Sequence, residues 1–115
     1  MLDRVLRIAL LYDFYGAMLT EKQQRCLELH YLNDLSLAEI SAEFEVSRQA
    51  VHDILRRGEQ VLEDYELKLG LVERYQKEQA IVTHVYELLT GLTEDCRREP
   101  RVEQAVGLLK QLIDR

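Results

Sequence analysis

The 115-residue chain has no tryptophan, a single proline and two cysteines, and its five glycines all stand alone. Cys26 and Cys96 are far apart and show no partner spacing, which excludes a disulfide framework, fits a reducing compartment, and leaves both thiols to be read as small buried hydrophobes. Isolated glycines rule out a glycine-rich phosphate loop or a dinucleotide fingerprint. Strand signals are missing as well: there is no sustained period-two run of branched or aromatic residues and no Asn-Gly or Asp-Gly hairpin turn. Apolar stretches such as Ile8 to Tyr12 fall far short of the roughly 20 residues that a bilayer span needs. The opening segment MLDRVLRIALLYDFYG contains Asp3 and Asp13 and lacks a small-residue cleavage site, so no signal peptide is expected and the protein is expected to be cytoplasmic. Positive charge is also scarce. Fifteen Lys and Arg stand against 21 Asp and Glu, a net charge of −6, and such a chain is repelled by a phosphate backbone unless its cations gather on one face.

What is present is material for helices. With 47% hydrophobic and 31% charged residues, dominated by Ala, Leu, Glu, Gln, Lys and Arg, the chain reads as an all-α bundle of one small domain with an extension. A first helix is predicted over about Leu2 to Met18, with Leu2, Val5, Leu6, Ala9, Tyr12 and Tyr15 on its apolar stripe. Thr20 and Gln23 form a capping box for a second helix, whose buried side holds Cys26, Leu27 and Tyr31 and which ends at Asn33-Asp34. Ser36 and Glu39 form another box, opening the short helix LAEISAEF with Leu37, Ile40 and Phe44 inward. Ser47 caps a fourth helix with Val51, Ile54 and Leu55 facing inward, and Val51, Ile54, Gly58, Val61, Tyr65 and Leu69 continue one stripe as far as Gly70. Gly58 on that stripe would allow a neighbouring helix to approach closely.

Beyond Gly70, the spacing of Leu71, Val72, Tyr75, Val82, Val85, Tyr86, Leu89 and Leu92 predicts a long amphipathic helix ending near Gly91. Thr93 is placed to cap a following turn, and Pro100 opens a last helix with Val102, Ala105, Val106, Leu109, Leu112 and Ile113 on its apolar side. Gly70 therefore divides an N-terminal module, residues 1–69, from a C-terminal helical extension, residues 70–115.

The segment LAEISAEFEVSRQAVHDILRR has the layout of a helix-turn-helix. Ile40, Phe44, Val46, Val51 and Ile54 supply the apolar contacts that hold two helices at a steep angle. Ser47 frees the first turn of the second helix to enter a groove, with Arg48, Gln49, His52, Arg56 and Arg57 available outward. Arg and Gln can make bidentate contacts with base edges, and Arg56 and Arg57 can neutralise phosphates. Residues 47–57 hold three arginines against the single acid Asp53, a local balance of +2 on an acidic chain.

With those residues in view, LTEKQQRCLELHYLNDLSLAEISAEFEVSRQAVHDILRR resembles the C-terminal DNA-reading region of bacterial sigma factors. LYDFYGAMLTEKQ, the helix-turn-helix and the following EQVLEDYELKLGLVERY are similar to the YlxM family of small bacterial helix-turn-helix proteins, over about residues 10–75. The family's genes commonly accompany those of the signal recognition particle. The resemblance therefore implies a regulatory part in protein targeting, by docking on nucleic acid (DNA or the particle's RNA) or on the particle's GTPase; a sigma-like transcription regulator is the alternative. The chain departs from the sigma pattern in three places. Glu45 occupies the turn where glycine often takes positive φ, a strain of about 1 kcal/mol. Ser41 stands where a small alanine is usual. The basic tail of sigma readers is replaced by GEQVLEDYE, whose Glu59, Glu63, Asp64 and Glu66 weaken duplex binding.

Each candidate has a plainer reading. The arginines of the fourth helix, if merely solvated or facing a protein, need touch no nucleic acid, and four cationic contacts would give a salt slope of only about −3.6. Cys26 and His30 are four apart on one helix face, but two ligands do not make a metal site and core packing explains them better. Glu63, Asp64 and Glu66 read as a solvated face rather than acid–base machinery. His84 is assigned no chemistry. No catalytic motif is present, so neither catalysis nor a cofactor is expected. The apolar seam of the C-terminal helices either packs onto the first helix or pairs with a second copy, giving two reading heads in a homodimer.

Overall fold

The computed structural model describes residues 2–114, and every regular element among them is helical. The elements are α1 (Leu2–Tyr15), a 3₁₀ turn (Gly16–Met18), α2 (Glu21–Leu27), a π-helical turn (Glu28–Leu32), α3 (Leu37–Phe44), α4 (Arg48–Leu69), α5 (Leu71–Thr90), α6 (Glu94–Arg97) and α7 (Pro100–Ile113). They form two compact units, one through Val72 and one from Glu73 onward.

Local capping chemistry starts the short helices of the first unit where the side chains predict. The Thr20 hydroxyl accepts from the Gln23 amide at 3.2 Å while the Gln23 side chain accepts from the Thr20 amide at 3.1 Å. Ser36 and Glu39 repeat the exchange at the same distances, and the bond to the Ser36 amide holds the Glu39 carboxyl below its ordinary range. Ser47 caps α4 by accepting from the Ala50 amide at 3.0 Å. Between α3 and α4, Glu45 takes the left-handed conformation, φ 57° and ψ 41°, and the Val46 amide closes the turn on the Ser41 carbonyl at 3.1 Å.

The core of this unit centres on Leu11, Cys26, Leu27, Ile40, Val51 and Leu62. Ile40 and Val51 are fully buried where α3 meets α4, with Phe44, Val46 and Ile54 packed partly against them. Gly58 is buried beneath α2, where a Cβ would lie 3.2 Å from Leu27 Cδ1 and 3.6 Å from Gln23 Cβ, so the two helices approach as closely as its lack of a side chain allows.

Several expectations from periodicity do not hold. The stripe of α1 runs through Ile8, Leu11 and Tyr15, not through Val5 and Leu6, which is 59% exposed; the expected contact of Leu2 lies outside the described side chains. The helix also stops at Tyr15, three residues early, where the 3₁₀ turn begins. On α4 Leu55 is buried as expected, but Glu59 and Leu62 are buried as well, off the expected stripe, while Leu69 at its end is exposed. Each helix carries more apolar positions than one neighbour can cover, so spacing alone ranks the competing stripes wrongly. The second helix is interrupted by a π turn after Leu27, which carries Leu29 into the core. Cys96 is exposed, unlike Cys26, because it sits on a four-residue helix with no buried side.

In the second unit, Pro100 opens α7 as predicted, and the Glu99 carboxylate caps it by accepting from the Arg101 and Val102 amides. Thr93 precedes α6, but its hydroxyl makes no capping bond; its carbonyl instead receives the Arg97 amide at 3.0 Å. The inner side of α5 carries half-buried Tyr75, Val82, Tyr86 and Leu89, and Gln79 donates to the Leu112 carbonyl of α7 at 3.3 Å. Val85 and Leu92, expected on the same stripe, are exposed on another side.

Three tyrosine hydroxyls of the first unit donate to carboxylates: Tyr12 to Glu28 at 2.5 Å, Tyr15 to Glu66 at 2.6 Å and Tyr31 to Glu59 at 2.5 Å. Burial first, and then the neighbouring carboxylate, raises all three phenols, Tyr12 to about 12. A folded-state pKa above the unfolded value contributes stability that is complete below about pH 10 and fades as pH rises through about 12. Melting temperature should therefore fall between those limits, and Tyr12→Phe should flatten the decline; a midpoint independent of pH to 12 would contradict the pairing. Glu45→Gly should raise stability by about 1 kcal/mol in urea titrations by relieving the left-handed turn. No gain would mean that the turn carries no strain.

Candidate nucleic-acid interface

The turn at Glu45-Val46 and the cap at Ser47 set the start of α4 clear of α3, and 22 residues of helix follow. Its buried positions Val51, Leu55, Gly58, Glu59 and Leu62 fix the rotation of the whole helix. Ser47, Arg48, Gln49, His52, Arg56 and Arg57 are consequently all exposed, within the first three turns. The first amides of α4 also point outward from a helix N-terminus, which favours an anion.

The arginines keep their charge available. Among the described residues, none of Arg48, Arg56 and Arg57 forms an ion pair, whereas Arg4, Arg7, Arg25, Arg74, Arg98 and Arg101 all do. Asp53 is occupied within the strip: Gln49 donates to its Oδ1 at 3.0 Å, and His52 Nδ1 lies 3.8 Å from the same oxygen. The Gln49 amide must therefore leave Asp53 before it reads a base edge, a constraint that its residue type alone did not reveal.

The acids of α4 are placed differently from expectation. Glu59 is only 8% exposed, and one of its oxygens accepts from both Arg4, at 2.7 Å, and Tyr31, at 2.5 Å. Glu63 is held by a two-pronged contact from Arg7, at 2.8 and 2.7 Å. Glu66 accepts from the Tyr15 hydroxyl and from the Val72 amide at 3.0 Å. Only Asp64 is exposed, and Gln60 donates to it at 2.9 Å. These carboxylates are thus not a solvated face opposing phosphate; three of the four are turned to α1 and its surroundings and answered there. The 59, 63, 66 spacing was visible, but its partners lie more than 50 residues away in sequence for the α1 contacts. A polar cleft of about 300 Å³ lies at this junction, lined by Arg4, Ile8, Arg56, Glu59, Gln60 and Glu63.

The other candidate residues do not converge. Cys26 is fully buried, and burial raises its thiol pKa; His30 is half-buried with Nδ1 2.9 Å from the Leu35 carbonyl. No group of three His, Cys, Asp or Glu side chains suited to a metal exists among the described residues. His84 is exposed on α5. Among those residues, no helix is long and apolar enough to cross a membrane.

A family model described as "Putative helix-turn-helix protein, YlxM / p13 like" matches residues 2–99. A UPF0122 protein of Desulforamulus reducens is 45% identical over 109 residues, covering 95% of this chain and 92% of the relative. Those of Halalkalibacterium halodurans and Shouchella clausii are each 44% identical, over 97% and 100% of this chain and 96% and 95% of their own lengths.

The two kinds of carboxylate should behave differently on substitution. Glu59→Ala strands the Tyr31 hydroxyl and Arg4 beside a buried site and should cost about 1–3 kcal/mol. Arg7→Ala removes a solvent-exposed pair and should cost less than about 1 kcal/mol. Equal unfolding midpoints for the two variants in urea would refute the distinction.

Proposed function

We infer, for a chain that belongs to the UPF0122 family of YlxM/p13-like helix-turn-helix proteins, a regulatory role exercised by docking on nucleic acid through the start of α4. The observation that carries this reading is the set of three exposed guanidinium groups, Arg48, Arg56 and Arg57, which form no ion pair among the described residues, on a capped helix in an otherwise anionic molecule. Arg48 and Gln49 at the first turn would reach base edges, and Ser47, His52, Arg56 and Arg57 would hold the backbone. No residue is assigned a catalytic role, and no cofactor is required.

The resemblance to the YlxM family adds a setting: a cytoplasmic role in the signal recognition particle pathway, with the particle's RNA or its GTPase as the docking partner. A sigma-like regulator reading duplex DNA is the second reading, favoured by the position of Arg48 and Gln49 at the first turn of a capped helix. In either case a homodimer would present two such strips related by a two-fold axis.

Fluorescence anisotropy with a duplex library and with the particle's RNA separates these readings. Arg48→Ala, Arg56→Ala and Arg57→Ala should each weaken binding; the loss of Arg56 or Arg57 should make the salt slope shallower by about 0.9, while Lys110→Ala should leave it unchanged. A duplex preference of at least about a thousandfold over competitor, relaxed by Arg48→Ala, supports the transcriptional reading. Binding to the RNA or the GTPase with little preference among duplexes supports the targeting role. Binding that survives all three substitutions would overturn the proposed face.

A further inference from the structure

The cleft of about 300 Å³ between α1 and α4 contains a hydrogen-bonding group that the fold does not use. Glu59 is buried, and its Oε1 accepts from Arg4 Nη2 at 2.7 Å and from the Tyr31 hydroxyl at 2.5 Å, whereas Oε2 accepts from no group among the described residues. No side-chain polar atom sealed from solvent lacks a partner among those residues, so Oε2 is open to the cleft that Glu59 lines. Tyr31 reaches Oε1 from the π-helical turn, a local irregularity of the kind that collects at functional sites. One carboxylate oxygen is thus fixed by the fold, and the other faces whatever enters.

Donors adjoin that acceptor. Arg4 commits Nη2 to Glu59, but its side chain is 66% exposed, and its other N–H groups stand open beside Oε2. Arg56, three residues before Glu59 on the same side of α4, lines the same cleft and belongs to the arginine strip. Glu63 adds no free acceptor, because Arg7 holds both of its oxygens. A phosphate inside the cleft would oppose the open carboxylate oxygen, and an amine or guanidinium would oppose Arg4 and Arg56. A neutral group that presents N–H donors beside a carbonyl meets neither objection. The volume lies at the lower end of the roughly 300–1,000 Å³ of small-ligand sites, enough for one flat ring system.

We propose that this cleft holds an unpaired guanine base of the nucleic acid docked on α4. Guanine alone among the four bases offers an anionic acceptor two adjacent donors, N1–H and N2–H, with the carbonyl O6 next to them. Glu59 Oε2 accepts from the two N–H groups, Arg4 donates to O6, and Arg56 at the exposed side keeps the neighbouring phosphate. A base enters such a cleft only when it is splayed out of a helix, as bases in loops and bulges are. The proposal rests on the nucleic-acid reading above and gives it a preference for sequence.

Titration of the full-length protein into labelled hairpins of one fixed stem tests it, with a loop of uridines or the same loop carrying a single guanine, adenine or cytosine. The guanine loop should bind about tenfold tighter than the others. RNA and DNA hairpins present the same guanine edge, so an advantage in either supports the site and tells which strand supplies the base. Glu59→Gln leaves a carbonyl for Tyr31 and Arg4 but turns a donor toward the cleft, and should bring the guanine advantage within about twofold. That ratio is read within one variant, so partial unfolding cancels from it. A 1-methylguanine loop, which lacks the N1–H donor, should erase the advantage on the wild-type protein. Equal affinity for all loops, or an advantage that survives Glu59→Gln and N1-methylation, would overturn the guanine site while leaving the docking face of α4 standing. Failure to bind any hairpin or duplex would overturn both.

Discussion

The first unit depends on a carboxylate buried on a helix that must also present a cationic head. Glu59 lies one step beyond the arginine strip of α4, and its single oxygen gathers Arg4 from α1 and Tyr31 from the π turn. Removing a carboxylate from water is costly, and charge-assisted hydrogen bonds offset the cost only when the donors are held in place. The contact therefore does more than join three elements. It fixes which side of α4 faces α1, and with that the side left for Arg48, Gln49, His52, Arg56 and Arg57.

The same arrangement resolves an apparent conflict of charge. A molecule of net charge −6 is a poor candidate for approaching phosphate, and α4 carries four acids immediately after its arginines. Arg4 and Arg7 neutralise Glu59 and Glu63, and Tyr15 and the Val72 amide engage Glu66. Arg48, Arg56 and Arg57 have no such partner among the described residues. Sorting the charges by pairing leaves a local cationic surface that total charge conceals, and screening over about 10 Å at 0.1 M salt keeps distant acids from cancelling it.

Much of this architecture was legible from short-range chemistry. Thr20 with Gln23, Ser36 with Glu39, and Ser47 each satisfy amides within three residues, so the starts of α2, α3 and α4 could be read directly. Glu45 in the turn could be read as strained for the same reason, since its backbone conformation depends on the helix ends on either side. Helix faces were less legible. Leu6 and Leu69 have the residue type of core positions but point to solvent, and Leu62 is fully buried although it lies off the stripe that spacing marks. Periodicity reports that a helix has an apolar side, yet α1 and α5 each have more than one, and only the neighbouring elements choose between them. The exposed arginine strip of α4 was legible because a cap and a basic run adjoin in sequence; the bond of Gln49 to Asp53 was not, because the side-chain rotamer decides it.

The order of the elements, the helical class, the capped start of α4 and the local excess of arginine follow from the amino-acid sequence by itself, because each arises within a few residues through hydrogen bonds and steric preference. Tertiary structure alone decided that Glu59, Glu63 and Glu66 are answered rather than solvated, which stripe of α1 and α4 is buried, and that Ile81, Val85, Leu88 and Leu92 remain uncovered. Those outcomes depend on surfaces brought together from distant parts of the chain, and a carboxylate or a leucine has the same residue type whether or not a partner arrives.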